Sequence, residues 1–106
     1  MVQSISEKIQ QRRLQILVHS CIYYELNDSI ISDATWNKWA NELVQLQNEN
    51  PEISKQVKYS KEFKDFDGST GFNLPTKDIW VIGTAKYLLK IHNEPKQTKP
   101  KIIKLF

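Results

Sequence analysis

Two runs of apolar side chains with helical spacing, separated by a short polar break, constrain the fold of this chain more than any other feature. In the first run the apolar residues recur at intervals of three and four, which places them on one face of a helix over about residues 4–26. Ser4 and Glu7 stand at its start with the spacing of a capping box, and the polar residues 27–29 end it. The predicted face carries Leu14, Leu17, Cys21 and Tyr24.

The second run predicts a helix that begins after Ser32 or Asp33, because either side chain can accept hydrogen bonds from the free amides of the first turn. It ends at Asn50, because a residue before a proline disfavours the α conformation. Two helices joined by a short loop form an αα-hairpin with facing apolar stripes. We expect the second stripe to pack against the first, with Trp80 nearby. It consists of Trp36, Trp39, Ala40, Leu43 and Leu46.

The second half of the chain is predicted to add two more helices. Residues 52–66, wound as a helix, place their apolar side chains on one half of the surface, although a strand end around Val57 is an open alternative. Segment 67–71 holds two glycines and predicts an ordered loop whose carboxylates cap backbone amides. A last helix is expected from Pro75 to about residue 93. Because it is apolar around much of its circumference, we expect it to lie centrally.

These elements predict an all-α fold, a small bundle of about four helices built on the N-terminal hairpin. The 106 residues suffice for one domain, which we place at residues 1–94, followed by a basic flexible tail at 95–106. No run approaches the ~20 apolar residues of a membrane span, and residues 1–10 are too polar for a secretory signal. A single cysteine can form no internal disulfide. We therefore expect a cytoplasmic protein without a membrane partner.

Charge is divided unevenly along the chain. Residues 1–53 carry seven acidic and four basic side chains, whereas residues 54–106 carry eleven lysines and five acids. Contact with a polyanion is therefore expected in the rear half, although a solvated lysine-rich surface explains the same composition. The candidate nucleic-acid-binding residues form one stripe on the predicted 52–66 helix, and the absence of arginine there argues against base-specific readout. They are Lys55, Lys58, Lys61 and Lys64.

A series of short motifs in the hairpin resembles a known family. The string YYELND begins at Tyr23, ISDATWN begins at Ile31, and an E-L pair at Glu42 precedes N-P-E at Asn50. Over about residues 14–53 these motifs resemble the N-terminal helical subdomain of NAD-dependent bacterial DNA ligases, which shows an aromatic pair, I-S/P-D-A-x-Y-D, E-L-x-x-L and H-P-E. The resemblance implies a subdomain that folds over the nicotinamide mononucleotide half of NAD and helps the first adenylation step.

The resemblance also implies five nucleotide-contacting positions. Tyr23 and Asp33 match the family. Tyr24 stands where a histidine is usual, Trp36 replaces a tyrosine and lacks its hydroxyl, and Asn37 replaces an aspartate whose charge would favour a cationic nicotinamide. We therefore expect a retained hairpin scaffold with weak or absent nucleotide binding, and no cofactor. A residual nicotinamide-nucleotide binder is the alternative.

The catalytic residues of the ligase family are not matched. Adenylation there uses a lysine nucleophile in K-x-D-G within a nucleotidyltransferase domain, whereas the string from Lys64 has one residue too many before Asp67, and 38 residues follow Gly68. We expect no ligase activity and no other enzyme activity. No zinc-ligand spacing occurs, so no metal site is predicted. His19 is expected to be solvated or structural, and Cys21 to be buried.

The C-terminal residues resemble the peptides by which bacterial replication and repair proteins dock on the sliding clamp, Q-L-x-L-F. Ile103, Leu105 and Phe106 fit the apolar positions, whereas Ile102 replaces the glutamine, and folding back onto the domain is the alternative. The clamp is thus one candidate partner, beside an unidentified protein partner and non-specific nucleic acid.

Three functions follow from these observations. The first is a non-catalytic accessory protein of DNA metabolism, encoded by a phage or mobile element. The second is a small protein that binds and modulates, or inhibits, a host enzyme or defence protein. The third is the residual nicotinamide-nucleotide binder.

Overall fold

The longest helix, α1, spans Ile5–Glu25 and begins with the predicted capping box. The Ser4 hydroxyl accepts a hydrogen bond from the Glu7 amide at 3.2 Å, and the Glu7 carboxylate accepts one from the Ser4 amide at 3.1 Å. In the computed structural model, which describes residues 3–93, α1 contacts each of the other three helices. It is therefore the central element of the fold.

Burial along α1 extends around the helix instead of following one stripe. Every residue from Gln15 to Ile22 is buried because three helices pack against α1. The expectation of a single apolar face was too narrow, since Leu14 is only half-buried while Arg13 is buried. The prediction that the last helix lies centrally was wrong, because α1 occupies that position.

Helix α2 spans Asp33–Glu49 and forms the predicted hairpin with α1. The Ser32 hydroxyl caps α2 by accepting a hydrogen bond from the Thr35 amide at 3.1 Å. The helix ends at Asn50, the residue before the proline. Its stripe packs on α1 as expected, with Ala40 and Leu43 fully buried and Trp36, Trp39 and Leu46 partly buried against the core.

Helix α3 spans Pro51–Gln56 and is much shorter than the helix predicted over residues 52–66. Residues 57–65 form turns instead. Tyr59 adopts a φ of +70°, which no α-helix accommodates. The turn segment still closes the core, because the Phe63 side chain is fully buried.

Helix α4 spans Ile79–Asn93 and starts after the predicted position, Pro75. The start is set by Asp78, whose carboxylate accepts hydrogen bonds from the amides of Trp80 at 2.9 Å and Val81 at 3.2 Å. Trp80, which was expected near the core, is 48% exposed. The face of α4 that is buried against α1 consists of Val81, Ala85, Leu88 and Ile91.

Four α-helices and no strand occur within residues 3–93, which confirms the predicted all-α fold of about four helices. No helix in this part of the chain is long and apolar enough to cross a membrane. The predicted tail at 95–106, with the clamp-like residues Ile103, Leu105 and Phe106, lies outside the described residues. The tail and the domain boundary at residue 94 therefore stay predictions.

Candidate functional site

A cleft of about 320 Å³ lies between the end of α1, the α1–α2 loop, the first turns of α2 and a loop that we call the 67–72 loop. Its volume falls at the lower end of the range of small-molecule sites. The five residues that the ligase resemblance singles out all line this cleft. Tyr23 and Tyr24 come from α1, and Asp33, Trp36 and Asn37 come from α2.

The two tyrosines of α1 form an aromatic wall of the cleft. The Tyr23 side chain is 59% exposed and meets the Tyr24 ring edge-on, with the ring centroids 5.0 Å apart. The Tyr24 hydroxyl shares a hydrogen bond with the Thr70 hydroxyl at 2.8 Å, and the Tyr24 ring lies 5.6 Å from the Phe72 ring. Tyr24 is therefore held in place by the 67–72 loop, whereas Tyr23 is accessible to a ligand.

Helix α2 presents its three cleft residues on one side of its N-terminal turns, because Asp33, Trp36 and Asn37 are spaced by three and four positions. The Trp36 indole N–H donates a hydrogen bond to the Ser20 hydroxyl at 3.4 Å, and the indole ring meets Phe66 edge-on at 6.3 Å. The Asp33 and Asn37 side chains are exposed. A fixed indole thus stands beside a carboxylate and an amide that a ligand can reach.

The remaining wall of the cleft comes from the 67–72 loop, which the sequence did not assign to the site. Ser69, Thr70 and Gly71 line the cleft from this side. Gly71 packs directly on α1: a Cβ at this position would overlap the Ser20 hydroxyl and lie 2.8 Å from the Ser20 Cβ. The pair of glycines was the sequence signal for such a close approach.

The 67–72 loop is ordered by hydrogen bonds of its own. The Asp67 carboxylate accepts hydrogen bonds from the Ser69 hydroxyl at 2.6 Å and from the Ser69 amide at 2.9 Å. These bonds, the hydroxyl one foremost, lower the pKa of the Asp67 carboxyl. The arrangement confirms the prediction of a loop whose carboxylate caps a backbone amide.

The charge of the cleft selects the kind of ligand it can hold. Among the described residues that line it, Asp33 is the one carboxylate, and no lysine or arginine is present. Such a site favours a cationic or neutral ring over an anionic one. Hydroxyl side chains also line the cleft, at Ser29, Ser32, Ser69 and Thr70. Three of these hydroxyls are engaged within the protein: Ser32 donates to Thr35, Ser69 donates to Asp67, and Thr70 shares a hydrogen bond with Tyr24.

The other singled-out side chains are structural. His19 is buried with its ring 5.7 Å from the Trp39 ring, so the solvated alternative was wrong; the residue also lines the cleft. Cys21 is fully buried, as predicted. Burial raises the pKa of its thiol, and the Glu25 carboxylate adds to this effect. Within residues 3–93 no three His, Cys, Asp or Glu side chains are grouped to hold a metal ion.

The candidate nucleic-acid-binding lysines do not form the helical stripe predicted for them. The stripe required a helix over residues 52–66, and α3 ends at Gln56. Lys55 alone of the four lies on α3. The others lie in the exposed turns that follow, and none of the four lines the cleft; they are Lys58, Lys61 and Lys64.

The fold and the cleft place this chain among small helical domains that carry a cleft on an αα-hairpin. Residues 2–56, just over half of the chain, match the family model described as DNA ligase-like, N-terminal NAD+-binding domain, and the chain belongs to this family. A DNA ligase from Endomicrobium trichonymphae is 31% identical over 67 residues, which make up 63% of this chain and 10% of that ligase. The chain thus spans about a tenth of the curated relative's length, and no solved structure matches it.

Proposed function

We propose that this chain is a nicotinamide-nucleotide-binding domain that serves DNA metabolism without nucleotidyl transfer of its own. The observation that carries the proposal is the convergence of the five family positions on one cleft. At three of these positions the residue differs from the one in the ligase pattern. The five side chains nevertheless line one cavity of about 320 Å³. The NAD+ binding named in the family description supports this class of ligand.

A nicotinamide ring fits the chemistry of the cleft. In a nicotinamide nucleotide the ring is a cation, and cations are attracted to aromatic faces such as those of Tyr23 and Trp36. The Asp33 carboxylate supplies a negative charge to the same cleft. The Asn37 amide can both donate to and accept from the carboxamide of the ring. In place of the charge of the family's aspartate, Asn37 therefore offers one donor and one acceptor to the carboxamide of the ring.

The same residues explain why binding is expected to be weak. The Tyr24 hydroxyl is engaged by Thr70 at 2.8 Å, so it is not free for a ligand. Trp36 offers no hydroxyl, and no lysine or arginine of residues 3–93 lines the cleft to neutralise a phosphate. We expect a dissociation constant between about 10 μM and 1 mM, or roughly −7 to −4 kcal/mol.

The accessory role is the second part of the proposal. The matched segment is the N-terminal domain of a ligase-like family, and Lys64 stands exposed in a turn outside the cleft. An accessory protein of DNA metabolism from a phage or mobile element is the setting we propose. Modulation of a host enzyme stays the alternative prediction, and recovery of one dominant enzyme in a pull-down would favour it.

Titration calorimetry with nicotinamide mononucleotide tests the proposed ligand. We expect saturable binding that weakens about three- to tenfold in Tyr23→Ala, which removes one aromatic face, and in Asp33→Asn, which removes the carboxylate. The matched control is Asp65→Asn, which removes an exposed carboxylate outside the cleft. Absence of saturable heat at millimolar ligand, or equal effects of Asp33→Asn and Asp65→Asn, would overturn the proposal.

A pair of smaller ligands tests the role of charge. 1-Methylnicotinamide, which is methylated on the ring nitrogen, is a cation, whereas nicotinamide is neutral, and the two differ little in shape. We expect the cation to bind more tightly to the unmodified chain and to lose this advantage in Asp33→Asn, because the carboxylate is the source of the preference. Equal affinities for the two rings in the unmodified chain would contradict the proposed role of Asp33.

A further inference from the structure

The outer side of α4 exposes aromatic rings that the nicotinamide cleft does not use. Trp80 is 48% exposed and Tyr87 is 51% exposed. Gly83 lies between them, and these positions share one helix face because they are spaced by three, four and seven residues. We call Trp80, Gly83 and Tyr87 the α4 outer face. It lies beyond residues 2–56, the segment that matches the ligase-like family.

About half of each aromatic side chain of the α4 outer face is exposed to a flat ligand. Apart from the backbone of α4 and the two residues next to Gly83, no atom lies within 4 Å of where a Gly83 Cβ would stand, so no side chain fills the space there. At 1.5 Å per residue, Trp80 and Tyr87 are about 10 Å apart along the helix axis. Two flat groups could therefore contact the face at once, one on each ring.

One lysine lies beside Trp80, and two more lie on α4. The Lys58 ammonium group lies 5.7 Å from the Trp80 ring centroid, and Lys86 and Lys90 lie on the same helix as exposed residues. Helix α4 itself contains no Asp or Glu. Acids flank the helix in the sequence at Asp78, whose carboxylate is engaged by the first amides of α4, and at Glu94. The face is therefore both aromatic and cationic.

Acidic groups approach this region at one end. Asp78 and Glu62 lie close enough to Tyr59 to contribute to the raised pKa of its hydroxyl, which burial raises most. Both act at the N-terminal end of α4, beside Lys58. Among the described residues, the positive charge near the face is thus concentrated toward Lys86 and Lys90, on the Tyr87 side.

We propose that the α4 outer face binds single-stranded nucleic acid by stacking bases on Trp80 and Tyr87 while lysines contact the phosphates. Base–aromatic stacking combined with a cationic surface is how proteins bind single strands without sequence preference. A duplex hides the faces of its bases, so it could use the lysines alone. The proposal is independent of nicotinamide binding, and it replaces the predicted lysine stripe with a surface that includes Lys58.

Fluorescence anisotropy with labelled short oligothymidylate and oligouridylate, and with a DNA duplex, tests the proposal. We expect a dissociation constant of ~10⁻⁴ to 10⁻⁶ M for the single strands. Three phosphate contacts predict a slope of log affinity on log salt of about −2. Trp80→Leu and Tyr87→Leu should each weaken binding roughly five- to hundredfold, whereas Trp80→Phe should retain most of it.

Matched variants separate stacking from general apolar or charge effects. Ile79→Ala removes an apolar side chain that is 89% exposed on the same helix but has no aromatic face. Lys8→Ala with Lys38→Ala lowers the net charge as much as Lys86→Ala with Lys90→Ala does, on α1 and α2. We expect only the α4 lysine pair to weaken binding strongly, and circular dichroism should show every variant folded.

The outcomes are decisive in both directions. Loss of binding to either single strand in Trp80→Leu, with Ile79→Ala unaffected, supports the proposal. Binding of duplex as tight as that of single strands overturns it, as does an Ile79→Ala effect equal to that of Trp80→Leu. Absence of binding to both single strands at low salt also overturns it, while leaving the calorimetric result for the cleft untouched.

Discussion

At the scale of single residues, Arg13 joins several elements of the fold through hydrogen bonds. Its side chain is buried, and all five N–H groups of the guanidinium have acceptors. They donate to the Gln47 side chain on α2 and to the carbonyls of Val57 and Lys58, and they donate to both the carbonyl and the hydroxyl of Ser54. Arg13 thus connects α1 to α2 and satisfies carbonyls at the end of α3.

We predict that Arg13→Lys lowers the free energy of unfolding by about 3 kcal/mol, because a lysine ammonium cannot reproduce the planar fork and leaves buried carbonyls without donors. Urea unfolding measures the change. Arg12→Lys is the control: Arg12 pairs with Glu42 at 2.9 Å nearer the surface, and its loss should cost at most ~1 kcal/mol. Equal unfolding midpoints for the two variants would refute this account of Arg13.

Arg13 and Trp80 show where residue-level prediction fails. Arg13 is spaced by four from Ile9 and from Leu17, so its position on a buried face was readable, but an arginine there is ordinarily assigned to solvent. Trp80 is the opposite case, a large apolar residue that lies on the solvent side of α4. In both cases the position of the residue on its helix, and not its chemical type, determines whether the side chain is buried.

At the scale of elements, the hairpin was predictable because its signals are local. The capping box at Ser4, the cap at Ser32 and the proline after Asn50 each act within one turn of the helix they delimit. Residues 57–65 were mispredicted because their turn depends on Arg13, which lies more than forty positions earlier in the chain. The spacing of apolar residues within a short segment contains no information about a hydrogen-bond donor so far away in the sequence.

Two glycines in different elements should respond oppositely to the same substitution. Gly71→Ala would force the 67–72 loop off α1, because its Cβ would overlap Ser20, and should destabilise the fold by about 1–3 kcal/mol. Gly83→Ala adds a Cβ to open space within α4 and should stabilise it by about 0.5–1 kcal/mol. Denaturant unfolding of the two variants, side by side, measures both signs.

The same two glycine variants also distinguish an effect on the cleft from an effect on stability. Because Gly71 lines the cleft and Gly83 does not, only Gly71→Ala should weaken binding of nicotinamide mononucleotide. A stabilised Gly71→Ala variant would contradict the close packing of the loop on α1. A destabilised Gly83→Ala variant would show that the outer side of α4 is covered in solution.

At the scale of the whole molecule, the candidate site is a mixture of predictable and unpredictable parts. The resemblance supplied Tyr23, Tyr24, Asp33, Trp36 and Asn37, all of which line one cleft. The fourth wall comes from a loop that follows α1 by more than forty residues. Its approach depends on the turns held by Arg13 and on the absence of a side chain at Gly71. Neither condition leaves a periodic signal in the sequence.

At the same scale, incubation with NAD that is labelled in its adenylate part tests whether the protein can be adenylated. A lysine nucleophile must lose its proton, which proteins promote by desolvating it or placing another cation beside it. Lys64, the lysine nearest to the ligase motif, is exposed in a turn, and no lysine among the described residues lines the cleft. We therefore expect no covalently labelled protein on a denaturing gel. A labelled band that disappears in Lys64→Ala but persists in Lys61→Ala would contradict this and establish adenylation of the chain.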